Sequence, residues 1–272
     1  MHFGRYLLGG LTIGAGALLY GAFVEVDRLE LEKVTLWIPD LPEILDGYRI
    51  GFLTDFHLRD RQTVNLAARA VTAVLSESPE IVVLGGDYVS RWRPESPEML
   101  GRVLEPLLMM EGSVVAVPGN RDYLDGDPSL LQAIFDELNI RLLRNESWVH
   151  HGIEWVGVDS ANAGEADPFG AFESATGAHP QICVWHEPDL VDWTPRDVLL
   201  QLSGHTHGGQ FITPWGYAPV TSRNGSRYLQ GYFESVVPPL YVSRGLGTTG
   251  PPSRLFCRPE ATVLTLRSGT QA

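Results

Sequence analysis

The sequence has few cysteines, little positive charge and no repeated or low-complexity segment. Among its 272 residues only Cys183 and Cys257 are cysteines, which excludes a disulfide scaffold and a cysteine-ligated zinc site. The formal net charge of −13 argues against a broad attraction to the phosphates of nucleic acid. No repeat at solenoid or propeller spacing occurs. A length of 272 residues suits one α/β domain with a sizeable core, or two small domains.

One long run without charge stands at the N-terminus. The run Tyr6–Val24 has about the length, roughly 20 residues, that crosses a bilayer as a helix. Small residues at Ala15 and Ala17 suit a cleaved signal peptide, but that site would lie inside the run, which favours an uncleaved anchor. A single arginine before the run is a weak indication of an external catalytic domain. We predict a membrane anchor or signal segment over residues 1–30 and a globular domain over 31–272.

Strand-like and helix-like segments alternate beyond residue 34. Apolar residues at helical spacing predict helices over "TVNLAARAVTAVLSES", "PEMLGRVLEPLLMM" and "PSLLQAIFDEL". The runs "YRIGFLTDFH", "PEIVVLGGD" and "SVVAVPGNRD" predict strands, and "WVHHGIEWVGVDS" predicts a hairpin that turns at Gly152. This alternation predicts a layered α/β core, with later antiparallel strands that build a second sheet.

Five strand-like segments end in polar side chains that are able to bind a metal. These are Asp55 with His57, Asp87, Asn120, His186, and His205 with His207. Ligands bind outside the C-terminal ends of strands in open α/β sheets, so we expect these side chains to converge. Carboxylate, amide and imidazole ligands without a thiolate suit Mn, Fe, Zn or Co. Each residue has an ordinary alternative, such as a helix N-cap for the aspartates or a turn position for the asparagine, but seven such alternatives would have to coincide.

The fragments "DFH", "GGD", "GNRD", "WHEPD" and "GHTH" resemble, in this order, the calcineurin-like metallophosphoesterase family from about residue 48 onward. The resemblance implies a four-layer αββα sandwich over residues 31–272 with two divalent metal ions. One ion would be bound by Asp55, His57 and His207. The other would be bound by Asn120, His186 and His205, with Asp87 between the two. Metal-activated water would then hydrolyse a phosphoester or pyrophosphate without a protein nucleophile.

Arg121 departs from the common family pattern. Most members read "GNHD", in which the histidine assists the transition state or protonates the leaving group, whereas this chain reads "GNRD". Arginine stays protonated and cannot be a general acid, but it binds phosphate in bidentate fashion; a structural salt bridge is the alternative. The sequence "GNRDYL" also resembles the "GNRDFL" of UDP-2,3-diacylglucosamine hydrolases, where the arginine is implicated in holding the substrate phosphate. Our catalytic candidates are Asp87, Asn120 and Arg121, and Arg121 is also the substrate-binding candidate.

The segments "LSGHTHGGQ" and "YVSRGLGTTGPPSRLFCRPE" look like the membrane-associated phosphodiesterase branch of the family. The leading hypothesis is a hydrolase of a lipid-linked substrate such as UDP-2,3-diacylglucosamine, in lipid A biosynthesis, anchored in a bacterial inner membrane. The alternatives are a tethered phosphodiesterase or phosphatase acting on soluble substrates and, less favoured, a non-catalytic interaction module. The aromatic segment "FITPWGYAPV" fits either a membrane-facing rim or ordinary packing. The side of the membrane and the oligomeric state stay open.

Overall fold

The computed structural model describes residues 16–17, 19–39 and 41–269. Most of the predicted anchor Tyr6–Val24 therefore lies outside the described residues, and of this run residues 16–17 and 19–23 are helical. Within the described ranges, no helix has both the length and the apolar character that a membrane span requires.

The first sheet is built by strands from both ends of the described chain. Its strands are β1 (Glu30–Ile38), β2 (Arg49–Leu53), β3 (Ile81–Leu84), β4 (Val114–Ala116), β5 (Arg141–Leu142) and β12 (Glu260–Ser268). Their order is β1-β12-β2-β3-β4-β5. Every neighbouring pair is parallel except β12 with β2, which is antiparallel. The fully buried β-branched and leucine side chains of β3 explain its central position.

Three helices cover the outer face of this sheet, namely α1 (Arg61–Ser76), α2 (Ser96–Leu104) and α3 (Ser129–Glu137). Helix α1 begins at a capping box, because the Asp60 carboxylate accepts a hydrogen bond from the Thr63 amide at 2.9 Å. The sequence predicted that α2 would continue to Met110. Instead it ends at Leu104 and a 3₁₀ segment follows, because Pro106 has no amide proton for an α-helical hydrogen bond.

The second sheet contains the other six strands and carries a short helix on its outer face. The strands are β6 (Glu146–His150), β7 (Ile153–Val158), β8 (Gln181–Trp185), β9 (Leu200–Ser203), β10 (Gly231–Phe233) and β11 (Leu240–Val242). Their order is β10-β11-β9-β8-β7-β6, and the helix is α4 (Pro168–Glu173). The hairpin predicted at Gly152 is confirmed as β6–β7.

The strand directions in the second sheet differ from the prediction. The four inner strands β7, β8, β9 and β11 are parallel, and only the edge strands β6 and β10 are antiparallel to their neighbours. The segments 159–180, 186–199 and 204–239 connect the parallel strands, and each is long enough for the crossover that parallel pairing requires. The two sheets pack face to face around one apolar core. The predicted α/β sandwich is therefore confirmed, with two mixed sheets.

Candidate metal centre

Every predicted metal ligand follows the C-terminal end of a strand, at one edge of the two sheets. Asp55 and His57 follow β2, Asp87 follows β3, Asn120 follows β4, His186 follows β8, and His205 and His207 follow β9. Five of these residues have left-handed backbone angles, with φ between 47° and 70°: Asp55, His57, Asp87, His205 and His207. That conformation costs a non-glycine residue about 1–3 kcal/mol and concentrates at functional sites.

Two glycines are required where the strand ends approach each other. A Cβ atom on Gly119 would lie 2.3 Å from Asp87 Oδ1, and one on Gly204 would lie 2.4 Å from Asp55 Oδ2. Real Cβ contacts are never this short, so only glycine lets the backbone pass so near the two carboxylates. The glycines in "GNRD" and "GHTH" therefore have a steric reason in this structure.

The first cluster of ligands consists of Asp55, His57 and His207, all buried. One ligand atom from each lies within 4.8 Å of the others. Asp55 Oδ1 is 3.7 Å from His57 Nε2 and 3.4 Å from His207 Nε2. The backbone amide of His205 donates to the second carboxylate oxygen, Asp55 Oδ2, at 2.9 Å, which leaves Oδ1 directed at the two imidazoles.

The second cluster consists of Asp87, His186 and His205, also within 4.8 Å of one another. Asp87 faces both clusters with different oxygens: Oδ1 is 3.5 Å from His186 Nε2, and Oδ2 is 3.3 Å from His57 Nε2 of the first cluster. A carboxylate in this position is able to ligate one ion with each oxygen. Asn120, predicted for the second ion, has its buried Oδ1 without a hydrogen-bond partner and lines the same cavity.

Hydrogen bonds behind the imidazoles determine which ring nitrogens are able to ligate. His186 Nδ1 is 2.7 Å from the Gly85 carbonyl oxygen, so Nδ1 carries a proton and Nε2 is the ring nitrogen that is able to ligate. His205 Nε2 is 2.7 Å from the Arg223 carbonyl oxygen, which leaves Nδ1 of that ring for the metal. Such carbonyl contacts orient metal-binding histidines in general.

The clusters fit two divalent cations. Five buried ligand atoms have no hydrogen-bond partner within the described residues: Asp55 Oδ1, His57 Nε2, Asn120 Oδ1, His186 Nε2 and His207 Nε2. A buried polar atom without a partner costs about 1–3 kcal/mol. Five such atoms in one place indicate that ions complete their coordination. The donors are oxygen and imidazole nitrogen, which suit first-row divalent metals.

The charges of the site keep its two carboxylates ionised. Burial alone would raise the pKa of Asp87, but the neighbouring His186 and His57 imidazoles lower it to about 2. The imidazoles of His207 and His186 hold the pKa of Asp55 below its usual range in the same way, against the effect of burial. Burial lowers the pKa of His207 well below its usual value. The two carboxylates are thus ionised and His207 is neutral. Asp87 and Asp55 raise the pKa of His186 well above its usual value, against the effect of burial, so a metal ion that binds His186 Nε2 displaces a proton.

A cavity of about 390 Å³ opens over the two clusters. Asp87, Asn120 and Arg121 line one side of it, and apolar residues line another: Phe211, Val220 and Pro251. The Arg121 amide donates to Asp87 Oδ1 at 2.7 Å, while its guanidinium has no carboxylate partner among the residues that the structure describes. The structural salt bridge considered for Arg121 is therefore absent there.

No sequence pattern indicated a role for Arg254, a fully buried arginine behind His207. Its guanidinium donates to the carbonyl oxygens of His207 at 3.3 Å, Gly245 at 3.0 Å and Gly247 at 2.6 Å. The Gly247 amide in turn donates to the Asp55 carbonyl oxygen at 2.6 Å. Arg254 thus connects the loops behind two ligands of the first cluster.

The second residue missed by the sequence analysis is Asp122, the last residue of "GNRD". Its buried carboxylate accepts from the backbone amides of Gly119, Asp87 and Tyr88, at 2.8 to 2.9 Å. Because these amides belong to the loops after β3 and β4, Asp122 fixes the spacing of the two loops. Its position inside a motif was the only available signal.

Two buried clusters of carboxylates and imidazoles, with one carboxylate facing both, define a dimetal hydrolase. The sequence profile of the calcineurin-like phosphoesterase family matches residues 48–209, and the chain belongs to this family. It is a metallophosphoesterase with its dimetal site residues intact.

Three relatives are similar over most of their length. YkuE of Bacillus subtilis, a metallophosphoesterase, is 29% identical and covers 98% of this chain and 95% of its own. The phosphodiesterase YaeI of Escherichia coli is 30% identical and covers 80% of this chain and 82% of its own. The UDP-2,3-diacylglucosamine pyrophosphatase LpxG of Chlamydia trachomatis is 27% identical and covers 89% and 90%.

Proposed function

We propose that the protein hydrolyses a pyrophosphate or phosphodiester bond in a lipid-linked substrate, with UDP-2,3-diacylglucosamine as the leading candidate. The observation that carries the hydrolysis is the Asp87 carboxylate, whose two oxygens face imidazoles of two different clusters. The lipid-linked substrate is supported by the similarity to LpxG and by the apolar wall of the cavity. The uncharged run Tyr6–Val24 would anchor the protein in a bacterial inner membrane.

The chain would hold one divalent cation in each cluster, with Asp87 shared and Asn120 completing the second. Such a cation pair polarises a phosphoryl oxygen and lowers the pKa of the attacking water. The protein keeps both carboxylates ionised and excludes water from the imidazoles by burial. Arg121 binds the non-bridging oxygens of the phosphate from the cavity side. Mn²⁺ is our first choice of ion for assays, because the donor set suits it.

Arginine in place of the family histidine favours a pyrophosphate over an alkyl phosphodiester. An alkoxide leaving group needs a proton, which Arg121 cannot supply because it stays protonated. A phosphate leaving group, whose second pKa is about 6, departs as an anion without that proton. An arginine at position 121 thus agrees with hydrolysis of UDP-2,3-diacylglucosamine, because this reaction releases UMP and a sugar phosphate and neither leaving group needs a proton.

A second candidate is hydrolysis of soluble phosphodiesters by a tethered enzyme. The similarity to YaeI, a phosphodiesterase, favours it. The two candidates differ in the leaving group and in the acyl chains, so substrate comparison separates them.

The test is product analysis with full-length protein in detergent and Mn²⁺. UDP-2,3-diacylglucosamine and bis-p-nitrophenyl phosphate are compared, with Asp87→Ala and EDTA as controls. We expect UMP from the metal-loaded wild type alone, and we expect Arg121→His to lose most of this activity while retaining turnover of the nitrophenyl diester. Turnover of the diester without UMP would reject the lipid-linked substrate and favour the second candidate. Absence of turnover with either substrate, despite bound metal, would reject the hydrolysis itself.

A further inference from the structure

Large apolar side chains are exposed on the segments that adjoin the lining of the metal cavity. We define the rim as Trp215, Tyr217, Val220 and Phe256, whose exposed fractions are 80%, 61%, 71% and 58%. Val220 lines the cavity directly. Trp215 and Tyr217 lie in the turn that Thr213 closes with hydrogen bonds to residue 217. Phe256 follows a residue that pairs with the cavity-lining Phe211.

The backbone next to the rim is hydrogen-bonded to the last turn of the uncharged N-terminal run. The Ile212 amide donates to the Leu255 carbonyl oxygen at 2.9 Å, and the neighbouring Arg254 amide donates to the Gly21 carbonyl oxygen at 3.2 Å. A Cβ atom on Gly21 would lie 2.5 Å from the Arg254 carbonyl oxygen, so the two segments are in direct contact. Phe23, in the same turn as Gly21, is 76% exposed.

The segment that builds the rim differs in charge from the rest of the protein. Residues 198–259 contain five arginines and a single acidic residue, Glu234, which gives this segment a formal charge of +4. Because the whole chain has a net charge of −13, the remaining residues carry −17. Two of the arginines, Arg244 and Arg254, are bonded inside the protein. The feature of this segment that matters for its surface is therefore its lack of carboxylates rather than its arginines. Residues 211–227 contain no aspartate or glutamate.

We infer that the rim docks on a lipid bilayer, so that a lipid-linked substrate enters the metal cavity from the membrane. A segment without carboxylates, such as residues 211–227, adds no repulsion by anionic headgroups, and tryptophan and tyrosine favour the interface between membrane and water. The uncharged run Tyr6–Val24 joins the folded domain at this rim, so a run embedded in lipid would bring the rim to the bilayer surface. The inference rests on the proposed lipid-linked substrate and adds the route by which it arrives.

The geometry gives the phosphates and the acyl chain of such a substrate separate places. The phosphates would lie over Asp87 and Arg121 at the base of the cavity, while the first part of an acyl chain would contact Phe211, Val220 and Pro251. The rest of the chain would remain in the bilayer below the rim. The substrate would then leave the membrane only as far as its phosphate requires.

A second exposed apolar patch provides an internal control. Phe169 and Trp193 pack edge to face with ring centroids 6.1 Å apart, and Trp193 is 57% exposed. Trp193 lies on the segment that leads into β9, whereas His205 and His207 follow the other end of that strand. Two carboxylates, Glu173 and Asp192, border it.

The test measures contact with lipid in the full chain. Trp215→Cys and, as the matched control, Trp193→Cys are labelled with the fluorophore NBD; Cys183 and Cys257 are buried and stay unlabelled. The proteins are reconstituted in vesicles of phosphatidylethanolamine and phosphatidylglycerol that contain doxyl-labelled lipid. We expect a blue shift and quenching at position 215 and neither at 193. The inference would be overturned if the label at position 215 were not quenched by the doxyl-labelled lipid, even with a blue shift. Equal quenching at positions 215 and 193 would overturn it as well.

A kinetic experiment tests the route to the site. In the double variant Trp215→Ser with Tyr217→Ser we expect kcat/KM for UDP-2,3-diacylglucosamine in vesicles to fall by roughly tenfold, with unchanged turnover of bis-p-nitrophenyl phosphate. Trp193→Ser should change neither. An equal loss with both substrates would overturn the inference. If the wild type cleaves the diester but never the lipid-linked substrate while position 215 is still quenched, the proposed substrate fails and the docking surface stands.

Discussion

Replacement of Arg254 by methionine should weaken one metal site more than the other. The Arg254 guanidinium is buried, and most of its hydrogen-bond acceptors are backbone carbonyl oxygens. One of these belongs to the loop after β9 and three belong to the loop after β11. Those loops hold His207 and pack behind Asp55. Methionine fills most of the same space without the donors, so the loops lose their connection while the second cluster keeps its own contacts.

The magnitude follows from the lost hydrogen bonds. The guanidinium donates at 2.6 to 3.3 Å to five carbonyl oxygens, those of His207, Arg244, Gly245, Gly247 and Cys257. Each carbonyl that stays buried without a partner costs about 1–3 kcal/mol, and removing a buried charge returns part of this. We expect a loss of about 3–5 kcal/mol in the free energy of unfolding. We also expect about 10–100-fold weaker binding at the first cluster, the size seen when residues that orient metal ligands are changed.

The assay is a calorimetric titration of metal-stripped full-length protein with Mn²⁺, which resolves a tighter and a weaker binding step. Arg254→Met should shift one step and leave the other, and activity should recover at high Mn²⁺. Arg254→Lys, which keeps the charge but not the planar fork, should lie between. The exposed Arg267→Met, which removes only a surface ion pair with Asp46, is the control and should change nothing measurable. Equal weakening of both steps, or no weakening, would refute this account of Arg254.

Three further changes have defined outcomes. Gly204→Ala places a Cβ atom 2.4 Å from Asp55 Oδ2 and should abolish turnover and lower the melting temperature. Both thiols should resist Ellman's reagent until the protein unfolds, because burial raises the pKa of Cys183 to about 12 and also raises that of Cys257. Burial alone would raise the pKa of Glu154, but bonds from two amides and a glutamine side chain hold it below 4.5. Its stabilisation is therefore present above about pH 4.5 and lost as the pH falls through the lowered value. Glu154→Gln should thus lower the melting temperature at pH 7, and this effect should shrink as the pH falls below about 4.5.

The metal ligands could be predicted because their signals are local. Each follows an apolar run within a few residues, and the C-terminal ends of parallel strands meet at one sheet edge. Asp55 and His205, 150 positions apart, therefore come within one hydrogen bond of each other. The direction of the inner strands of the second sheet was predicted wrongly, because an apolar strand reads the same in either direction. The connections of 14 or more residues from 159 onward were the available clue to parallel pairing.

The residues that support the site could not be predicted, because their contacts join distant parts of the chain. In the sequence, nothing distinguishes Arg254 from an arginine on the surface. Only the fold shows that carbonyl oxygens surround its guanidinium. The Glu25 carboxylate likewise accepts the Cys257 amide at 2.7 Å across 232 positions. No periodicity or motif in either segment predicts that hydrogen bond.

The same contact bears on where the folded domain begins, which the sequence placed at residue 31. Glu25 is 3% exposed, and its partner Cys257 donates through Sγ to the His207 carbonyl oxygen at 3.1 Å. Gly21 is bonded to Arg254 as well. The end of the predicted anchor segment is thus connected to a metal ligand through two short paths.

A truncation at residue 30 would therefore remove part of the frame of the metal site together with the proposed anchor. We expect removal of residues 1–30 to reduce turnover of bis-p-nitrophenyl phosphate severely. Removal of residues 1–15 leaves the contacts of Tyr20 and Gly21 in place and should preserve it. Melting temperature and Mn²⁺ binding, measured beside turnover, should fall only in the longer truncation. Full activity on the soluble diester without residues 1–30 would show that the contacts of Gly21 and Glu25 do not support the site. A loss of activity on a lipid-linked substrate therefore indicates a role of the membrane only if removal of residues 1–15 is enough to cause it. The same loss after removal of residues 1–30 could come from damage to the metal site.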